Sequence, residues 1–288
     1  MRPQAQGIAL LTSHLGDPSR PVLTTAQLLA LENRARLAGP PGQGEVTGEY
    51  LVSLGCSPRL VRQVLSLLGE ENRLMAYLDR AKAVGIVCLT RICAGYPHRL
   101  IRRLGELAPP VLWAMGDLSI LEKPAIALVG SRELNWPNRA FAAATGEQAA
   151  RQGWVLVSGD ARGADRAAQN ACLAAKGEVI SILPWPLSAA WPGNRRLLLW
   201  EDSFDLPFSG PRALSRNRVI HSLGDATLVA QSGLRTGGTW SGTADNLRRG
   251  LSPVYVYADG SPAAQALAGM GAAPISMFQL EKLDLLVP

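Results

Sequence analysis

Residues 125–132 read Ala-Ile-Ala-Leu-Val-Gly-Ser-Arg, an apolar run that ends in two small residues and an arginine. A second run, Trp-Val-Leu-Val at 154–157, ends in Ser-Gly-Asp-Ala-Arg-Gly-Ala-Asp at 158–165. Short apolar runs that break into small-residue turns are typical of buried parallel strands followed by helices. The carboxyl ends of such strands line a crevice where glycine lets the backbone approach phosphate and helix starts offer free N–H groups. The two stretches therefore predict a phosphate-binding edge with an arginine in each turn.

The same alternation of short apolar strands and helices continues on both sides of this core. The predicted strands cover 86–90, 111–116, 125–129, 154–157, 179–183, 226–230 and 254–257, and the predicted helices cover 137–153, 164–177, 216–223 and 243–249. Repeated strand–helix units indicate an α/β protein with an extended Rossmann-like, doubly wound, mostly parallel sheet over residues 85–270. The stretch 184–211 is predicted to be irregular, and residues 271–288 are predicted to form a C-terminal tail.

Residues 1–84 are predicted to form a small helical accessory domain. Thr24 and Ser57 stand where helix caps are expected, and Gly55 and Gly85 stand where helices should end. Small helices joined by glycine-containing turns occur in modules that bracket a DNA backbone. They occur equally in plain accessory bundles, which is the reading we favour.

Composition favours a globular protein with an anionic partner. The 288 residues carry a formal charge of +6, and the basic residues comprise 25 Arg and only 4 Lys. Arginine binds phosphate bidentately and stacks on bases, so this bias suits nucleic acid, although a GC-rich coding sequence produces the same ratio. No apolar run reaches the ~20 residues of a membrane helix, and no signal-peptide pattern stands at the start. We expect a cytoplasmic protein.

No cofactor or metal ion is expected from the sequence. The four cysteines form no Cys-x-x-Cys pair and have no histidine at ligand spacing, which favours buried thiols. No dinucleotide or P-loop glycine fingerprint is present. A Ser131–His221–Asp225 triad can be drawn, but nothing in the spacing supports it. The sequence therefore predicts a binding site without catalytic residues.

Four clusters are placed at predicted strand ends or helix starts, so they are expected to converge on one edge of the sheet. The residues predicted to contact phosphate or nucleic acid are Gly130, Ser131, Arg132, Ser158, Gly159, Arg162, Gly163, Arg216, Asn217, Arg218, Gly238 and Thr239. Asp165 is expected to cap the helix that follows its loop, whatever the ligand. Trp240 is expected either to stack on a base or to pack against a neighbouring helix.

The order of these motifs resembles the DprA/Smf family of DNA-processing proteins. The similarity runs from about residue 86 to 257 and includes Tyr-Pro at 96–97, Pro-Pro-Val-Leu at 109–112, Val-Gly-Ser-Arg at 129–132, the 158–165 segment and Arg-Asn-Arg at 216–218. The resemblance implies a Rossmann-like domain that binds single-stranded DNA in a basic pocket, usually as a homodimer, and helps to load RecA-type recombinase during transformation. It implies that the glycine, serine and arginine residues named above hold the DNA backbone or a base, and it implies no catalysis.

The chain also departs from that pattern. Ala168-Gln169 stands where the family commonly has Ala-His, the Phe-Pro before Arg-Asn-Arg is absent, and the loop at 237–244 is longer than usual. No winged-helix segment follows, so we expect a divergent short form, whose context could be recombination, transformation, mobile elements or phage defence. A genetically linked protein partner is the alternative to a recombinase.

Two other functions remain open from the residues alone. A nucleotide-sensing regulatory protein would use the same donors for a small phosphorylated ligand. A nucleotide phosphoribohydrolase, releasing free base as an N-glycosidase, would need a Gly-Gly-x-Gly-Thr-x-x-Glu loop, but here the glycine spacing differs and Asp245 replaces the glutamate. A basic surface at Arg99, Arg102, Arg103, Arg248 and Arg249 would favour a polymer, although such arginines also suit ordinary solvated helix faces.

Overall fold

Side-chain caps begin the helices of the N-terminal region where the sequence predicts them. In the computed structural model, which describes residues 2–41, 45–187, 193 and 195–287, Thr24 and Gln27 form a reciprocal capping box. The Ser57 hydroxyl accepts from the Leu60 N–H, and Pro58 occupies the first turn that follows. The helices are α1 (Pro3–Thr12), α2 (Thr25–Ala38), α3 (Gly48–Ser53), α4 (Pro58–Leu68) and α5 (Glu71–Ala83).

The chain divides into two compact units, and the first comprises residues 1–96, 105–113 and 201–206. Besides the five helices it holds β1 (Ile86–Thr90) and most of β2 (Val111–Met115). Tyr77, Trp113 and Phe204 form a ring cluster with centroids 4.7 to 5.4 Å apart. This unit therefore extends beyond the predicted 1–84 domain, because two of the three aromatic rings of this cluster come from later segments.

The second unit contains a fully parallel sheet built from seven strands. Its elements are α6 (His98–Leu104), β3 (Ala125–Val129), α7 (Trp136–Arg151), β4 (Val155–Ser158), α8 (Ala164–Ala174), β5 (Val179–Ile182), β6 (Arg196–Glu201), α9 (Gly210–Leu223), β7 (Ala226–Val229), α10 (Gly237–Arg249), β8 (Val254–Tyr257), α11 (Pro262–Gly269) and β9 (Ala273–Ile275). The strand order is β6-β5-β4-β3-β7-β8-β9. The chain thus moves outward from β3 in one direction and then returns to its other side, which confirms the doubly wound, Rossmann-like fold.

Three segments differ from the sequence prediction. Strand β6 lies inside the stretch predicted as irregular, where Leu197–Trp200 are buried beside β5; residues 188–192 and 194 of that stretch lie outside the described residues. Helix α9 begins at Gly210, with Ser209 as its cap, so the Arg-Asn-Arg at 216–218 lies in the middle of the helix. Helix α10 begins at Gly237, so Gly238 and Thr239 form its first turn and do not belong to a loop.

The segment predicted as a tail belongs to the second unit. Residues 273–275 form β9 beside β8, and Leu280, Leu283 and Leu286 are buried in two short 3-10 turns. These leucines pack in the same apolar core as Ile126 and Phe141 of the sheet and α7. Burial of apolar surface stabilises a folded chain by about 25 cal/mol per Å² removed from water. The residues after 271 therefore contribute to the stability of this unit. No helix in the described part of the chain is long and apolar enough to cross a membrane.

Candidate functional site

A cavity of about 520 Å³ opens where the strand order of the sheet reverses. Its walls come from the turns after the neighbouring strands β3 and β7, the loop after β4, and helices α9 and α10. A reversal of strand order leaves a crevice at the carboxyl edge, because the connections leave toward opposite faces of the sheet. The lining residues are Val129, Gly130, Ser131, Arg132, Ala161, Asp165, Gly210, Ala213, Leu214, Arg216, Asn217, Ile220, His221, Gly233, Thr236, Gly237, Gly238 and Thr239.

The turn after β3 is held by hydrogen bonds and by close packing that requires glycine at position 130. A Cβ on Gly130 would lie 2.4 Å from the Ala164 Cβ, so only glycine lets α8 approach this closely. Ser131 donates its N–H and its hydroxyl to the Gln231 carbonyl, at 2.9 and 3.2 Å. Arg132 is exposed and makes no side-chain hydrogen bond or ion pair with any described residue. These contacts hold the backbone of the turn, while the Arg132 guanidinium is available to a ligand.

Asp165 organises the loop after β4. One carboxylate oxygen accepts from the Gly159 and Ala161 N–H groups, at 3.2 and 3.1 Å. Burial raises the pKa of this carboxyl, while Arg216 and the hydrogen bonds from the loop counteract part of that rise. The expected capping role therefore takes the form of loop organisation, with the carboxylate bonded to N–H groups that precede α8.

Gly159 makes room for the buried side chain of Arg216. A Cβ on Gly159 would lie 1.3 Å from the Arg216 Nη1, and that nitrogen lies 4.0 Å from the Asp165 carboxylate. Arg216 is only 7% exposed. Gly163 has φ of +93°, and a Cβ at this position would lie 2.3 Å from the Ser131 carbonyl oxygen, so position 163 also requires glycine. Within the 158–165 motif, Gly159 thus leaves space for the Arg216 guanidinium and Asp165 places a carboxylate near it, whereas Gly163 supports the turn after β3.

The predicted site residues separate into those that line the cavity and those that do not. Gly130, Ser131, Arg132, Arg216, Asn217, Gly238 and Thr239 line it together. Ser158 and Gly159 lie next to Asp165 and are not among the lining residues. Gly163 lies against the Ser131 carbonyl in the turn after β3. Arg162 is highly exposed and pairs weakly with exposed Glu133, at 3.4 Å. Arg218 faces Asp245, at 2.9 Å, and takes no part in the lining.

The first half of α9 forms one wall of the cavity that was not predicted from the sequence. Gly210, Ala213 and Leu214 belong to the first half of α9, which lies before the helix predicted over 216–223. The signal was present as Ser209-Gly210-Pro211, because a serine cap followed by proline in the first turn is a helix start. Asn217 gains a role from this longer helix: its side-chain amide donates to the Gly238 carbonyl, at 3.0 Å, and ties α9 to the first turn of α10.

His221 also lines the cavity and is almost fully buried. Its Nδ1 lies 3.1 Å from the Asn246 amide nitrogen and 3.2 Å from the Thr227 hydroxyl. Burial lowers the pKa of His221 to about 4, so its ring is neutral at pH 7. Asp225 instead pairs with Arg99 and Arg103, so the residues do not form the Ser131–His221–Asp225 triad. Within the described ranges no group of three acidic, histidine or cysteine side chains could hold a metal ion.

The structure also shows the surroundings of Trp240 and of two arginines on α6, Arg99 and Arg103. Trp240 is half-buried on α10 and is absent from the lining of the cavity. Arg99 and Arg103 donate to the Leu223, Ser222 and Gly224 carbonyls, at 2.5 to 2.8 Å, and so cap the end of α9. These two arginines therefore have a structural role.

Comparison with known proteins identifies the family. The DNA recombination-mediator protein A model matches residues 88–276. Protein Smf of Escherichia coli K12 is 32% identical over 164 residues, which cover 49% of this chain and 43% of that protein. DNA processing protein DprA of Streptococcus pneumoniae is 32% identical over 140 residues, 45% of this chain and 49% of the relative. The chain thus spans about half the length of the curated relatives it matches.

Solved structures show the same fold at lower identity. The crystal structure of DprA from Streptococcus pneumoniae superposes with a TM-score of 0.76 at 22% identity, covering 99% of this chain and 98% of that one. DNA processing protein A of Helicobacter pylori, described for its single-stranded DNA binding mode, gives 0.56 at 22% identity, covering 69% and 93%. With the family model matching well over half of its residues, the chain belongs to the DNA recombination-mediator protein A (DprA/Smf) family.

Proposed function

We propose that this chain binds single-stranded DNA by its sugar–phosphate backbone at the cavity between β3 and β7, and that it acts by binding, without turnover. One observation carries the proposal: Arg132 stands at the cavity with no side-chain partner among the described residues. A guanidinium of this kind offers two parallel N–H donors to a phosphate. The single-stranded DNA binding named for the Helicobacter pylori relative supports the choice of polymer.

Helix α10 supplies the second group for phosphate. Gly237, Gly238 and Thr239 form its first turn and line the cavity, and the Thr236 side chain does not cap it. The first N–H groups of a helix lack partners inside the helix and carry partial positive charge, so they favour an anion. Asp165 lies near Arg216, and Arg218 pairs with Asp245 outside the lining, so the positive groups of the described lining that lack a nearby carboxylate are Arg132 and this helix end.

Replacing Arg132 with alanine should weaken binding to single strands of every sequence by about tenfold, because it removes one charge-assisted contact to phosphate. The slope of log affinity against log salt should become shallower by about 0.7, the value for one phosphate on a single strand. Fluorescence anisotropy with a labelled oligothymidylate across a salt series measures both quantities.

The matched control is Arg151→Ala. Arg151 ends α7, which begins just after the Arg132 turn, and it pairs on the surface with Glu147 at 2.5 Å. Sixteen helical residues separate the ends of α7 by about 24 Å, so this variant removes the same charge away from the cavity. Equal losses in the two variants would contradict a phosphate contact at Arg132.

A mononucleotide is the second candidate ligand, and the size of the cavity favours it. A volume of about 520 Å³ lies within the roughly 300–1,000 Å³ of small-molecule pockets. Displacement of the labelled strand by a mononucleotide at low concentration would support a nucleotide sensor in place of a DNA-binding protein. The phosphoribohydrolase alternative finds no support at Asp245, which pairs with three arginines and is not among the lining residues.

The same proposal includes homodimer formation in the cytoplasm and delivery of the strand to a RecA-type recombinase or another protein partner, in recombination, transformation or defence. Family membership supports these roles. Light scattering on the purified chain, alone and with an oligonucleotide, measures its oligomeric state directly. A monomer under both conditions would contradict the dimer.

A further inference from the structure

A second cavity, of about 610 Å³, opens at the end of the sheet opposite the candidate site. Its lining includes Arg102 and Arg103 of α6, Asp225 before β7, and residues 250–254 between α10 and β8. Because β7 and β8 both begin at this cavity, it lies at the amino edge of the parallel sheet. The cavity that contains Arg132 lies at the carboxyl edge. The two cavities are therefore separate places on the second unit.

Three arginines of α6 bring positive charge to this second cavity. Arg99 and Arg103 share the Asp225 carboxylate, at 3.3 and 3.1 Å. Arg102 is exposed and makes no hydrogen bond or ion pair with any described residue. One carboxylate thus serves three guanidiniums, so this side of the cavity keeps a net positive charge.

The end of α10 adds to the same charge. Arg248 and Arg249 flank the cavity, because Leu247 before them and Gly250 after them belong to its lining. Both pair with Asp245, at 3.6 and 2.9 Å, and this carboxylate also binds an arginine of α9. The five arginines of α6 and α10 pair with only two carboxylates among the described residues, which leaves an excess of three positive charges. Such an excess over a concave surface concentrates anions there. We call these five arginines and the cavity between them the amino-edge surface.

The helix ends at the amino-edge surface do not cancel its charge. Free carbonyls at the carboxyl end of a helix carry partial negative charge, which disfavours an anion. At the end of α9, Arg99 and Arg103 donate to three carbonyls, at 2.5 to 2.8 Å. At the end of α10, the Gly250 N–H donates to the Asn246 carbonyl. Arg102 has no such structural role, so its guanidinium is available to a ligand.

The lining favours a phosphate backbone over a protein surface as the partner. Its apolar residues include Leu251 and Val254, which are 3% and 5% exposed. None of the large, well-exposed apolar side chains in the described part of the chain lines this cavity. Aromatic and apolar side chains anchor protein interfaces, whereas contacts to a nucleic-acid backbone come mainly from arginine, lysine and polar groups. An arginine-rich concave surface without an apolar anchor therefore suits phosphate.

We propose that the amino-edge surface binds the sugar–phosphate backbone of a second stretch of single-stranded DNA, with Arg102 as its phosphate contact. This inference rests on the proposed function for the choice of ligand, but it places the contact outside the cavity at Arg132. A long strand that reaches both edges binds more tightly than a strand held at one edge, because its second contact forms within the same complex.

The first test maps the accessible arginines of the unmodified protein. Phenylglyoxal modifies accessible guanidiniums, and mass spectrometry of peptides identifies the modified positions. An oligothymidylate of about 40 nucleotides, well above the ~4–16 that one OB fold covers, should protect both Arg102 and Arg132. Arg151 is the internal control, because it ends α7 at the same edge of the sheet. Helices α7 and α9 connect strands in opposite directions, so right-handed crossovers place Arg151 on the other face, where it should stay reactive.

The second test measures what the contact contributes to affinity. We expect Arg102→Ala to weaken binding of the long strand about fivefold, in line with one contact between arginine and phosphate. Its slope of log affinity against log salt should become shallower by about 0.7. Arg102→Lys should keep the slope, because it keeps the charge. In the double variant with Arg132→Ala the two losses should multiply, as expected for contacts that are far apart. Arg151→Ala should leave both quantities nearly unchanged.

The outcomes distinguish the amino-edge surface from the proposed function. If the strand protects Arg132 but leaves Arg102 reactive, the second site is overturned and the proposed function stands. If it protects Arg102 but not Arg132, the second site is supported and the contact at Arg132 is contradicted. Equal effects of Arg102→Ala and Arg151→Ala on affinity would also overturn the second site. A protein that binds no strand contradicts the proposed function and the second site with it.

Discussion

Replacing Asp165 with alanine should lower the free energy of unfolding by about 3–5 kcal/mol, the cost of breaking a buried ion pair from one side. Asp165 is 6% exposed, and its carboxylate is the acceptor for the Gly159 and Ala161 N–H groups. Alanine would leave both donors without this acceptor. It would also leave the buried Arg216 guanidinium without the carboxylate that lies 4.0 Å away. Urea denaturation followed by circular dichroism measures the loss.

Two control variants separate the charge of Asp165 from its hydrogen bonds and compare it with an exposed carboxylate. Asp165→Asn keeps an oxygen for the loop N–H groups and loses only the charge, so its cost should lie below that of alanine. Glu147→Ala removes an exposed carboxylate that pairs with Arg151 one turn away, and surface pairs of this kind contribute less than about 1 kcal/mol. If Asp165→Ala cost no more than Glu147→Ala, the buried pair would not organise the loop.

Asp165→Ala should also weaken DNA binding, although its change in charge alone predicts tighter binding. Removing a negative charge from a phosphate site would by itself favour an anion. We expect the opposite, because the loop after β4 and the position of Arg216 both depend on this carboxylate. A gain in affinity for single strands would show that Arg216 needs no positioning by Asp165.

Most of the strands and the position of the cavity could be predicted because they depend on local patterns, whereas β6 and β9 were not predicted. Residues 125–129 are apolar without interruption, as a strand buried on both faces must be, and all five are buried. The small residues that follow this strand also predicted the turn, because glycine at position 130 is what allows the close contact with Ala164 of α8. Helix starts with a serine or threonine cap were equally visible, as at Thr24 and Ser57.

The parts that could not be predicted depend on tertiary packing. Gly237, Gly238 and Gly242 disfavour a helix locally, yet α10 includes all three, and Gly242 packs against Asn217 and His221. The destination of each arginine was equally hidden. Arg132, Arg216 and Arg218 look alike in sequence, but one is exposed at the cavity, one is buried beside Asp165 and one pairs with Asp245. Charge alone does not show which carboxylate will lie opposite.

Replacing Gly146 with alanine should destabilise the second unit by about 3 kcal/mol, the upper end of the usual cost of overpacking. Gly146 lies on α7, where an added Cβ would stand 1.9 Å from the Ala168 carbonyl oxygen and 2.7 Å from its carbon, both on α8. Backbone atoms cannot rotate away as a side chain can, so the two helices would have to separate. Thermal or urea denaturation measures the change.

The control for this substitution is Gly269→Ala, at the exposed end of α11 in the same unit. A Cβ at Gly269 would meet nothing within 4 Å. Alanine should therefore leave the stability unchanged or raise it by less than about 1 kcal/mol, as expected from helix propensity at a helix end. Gly146→Ala should therefore lower the free energy of unfolding, whereas Gly269→Ala should leave it unchanged or raise it slightly. Similar effects at both positions would contradict the close contact between α7 and α8.

Separation of α7 and α8 should also reach the candidate site. Helix α8 begins at Ala164, whose Cβ lies against Gly130, and Gly163 lies against the Ser131 carbonyl. A shift of α8 would therefore move the turn that carries Arg132. We expect the folded fraction of Gly146→Ala to bind single strands more weakly than the unmodified protein, whereas Gly269→Ala should bind normally. Unchanged affinity in a destabilised Gly146→Ala protein would show that the turn after β3 keeps its geometry without close packing of the two helices.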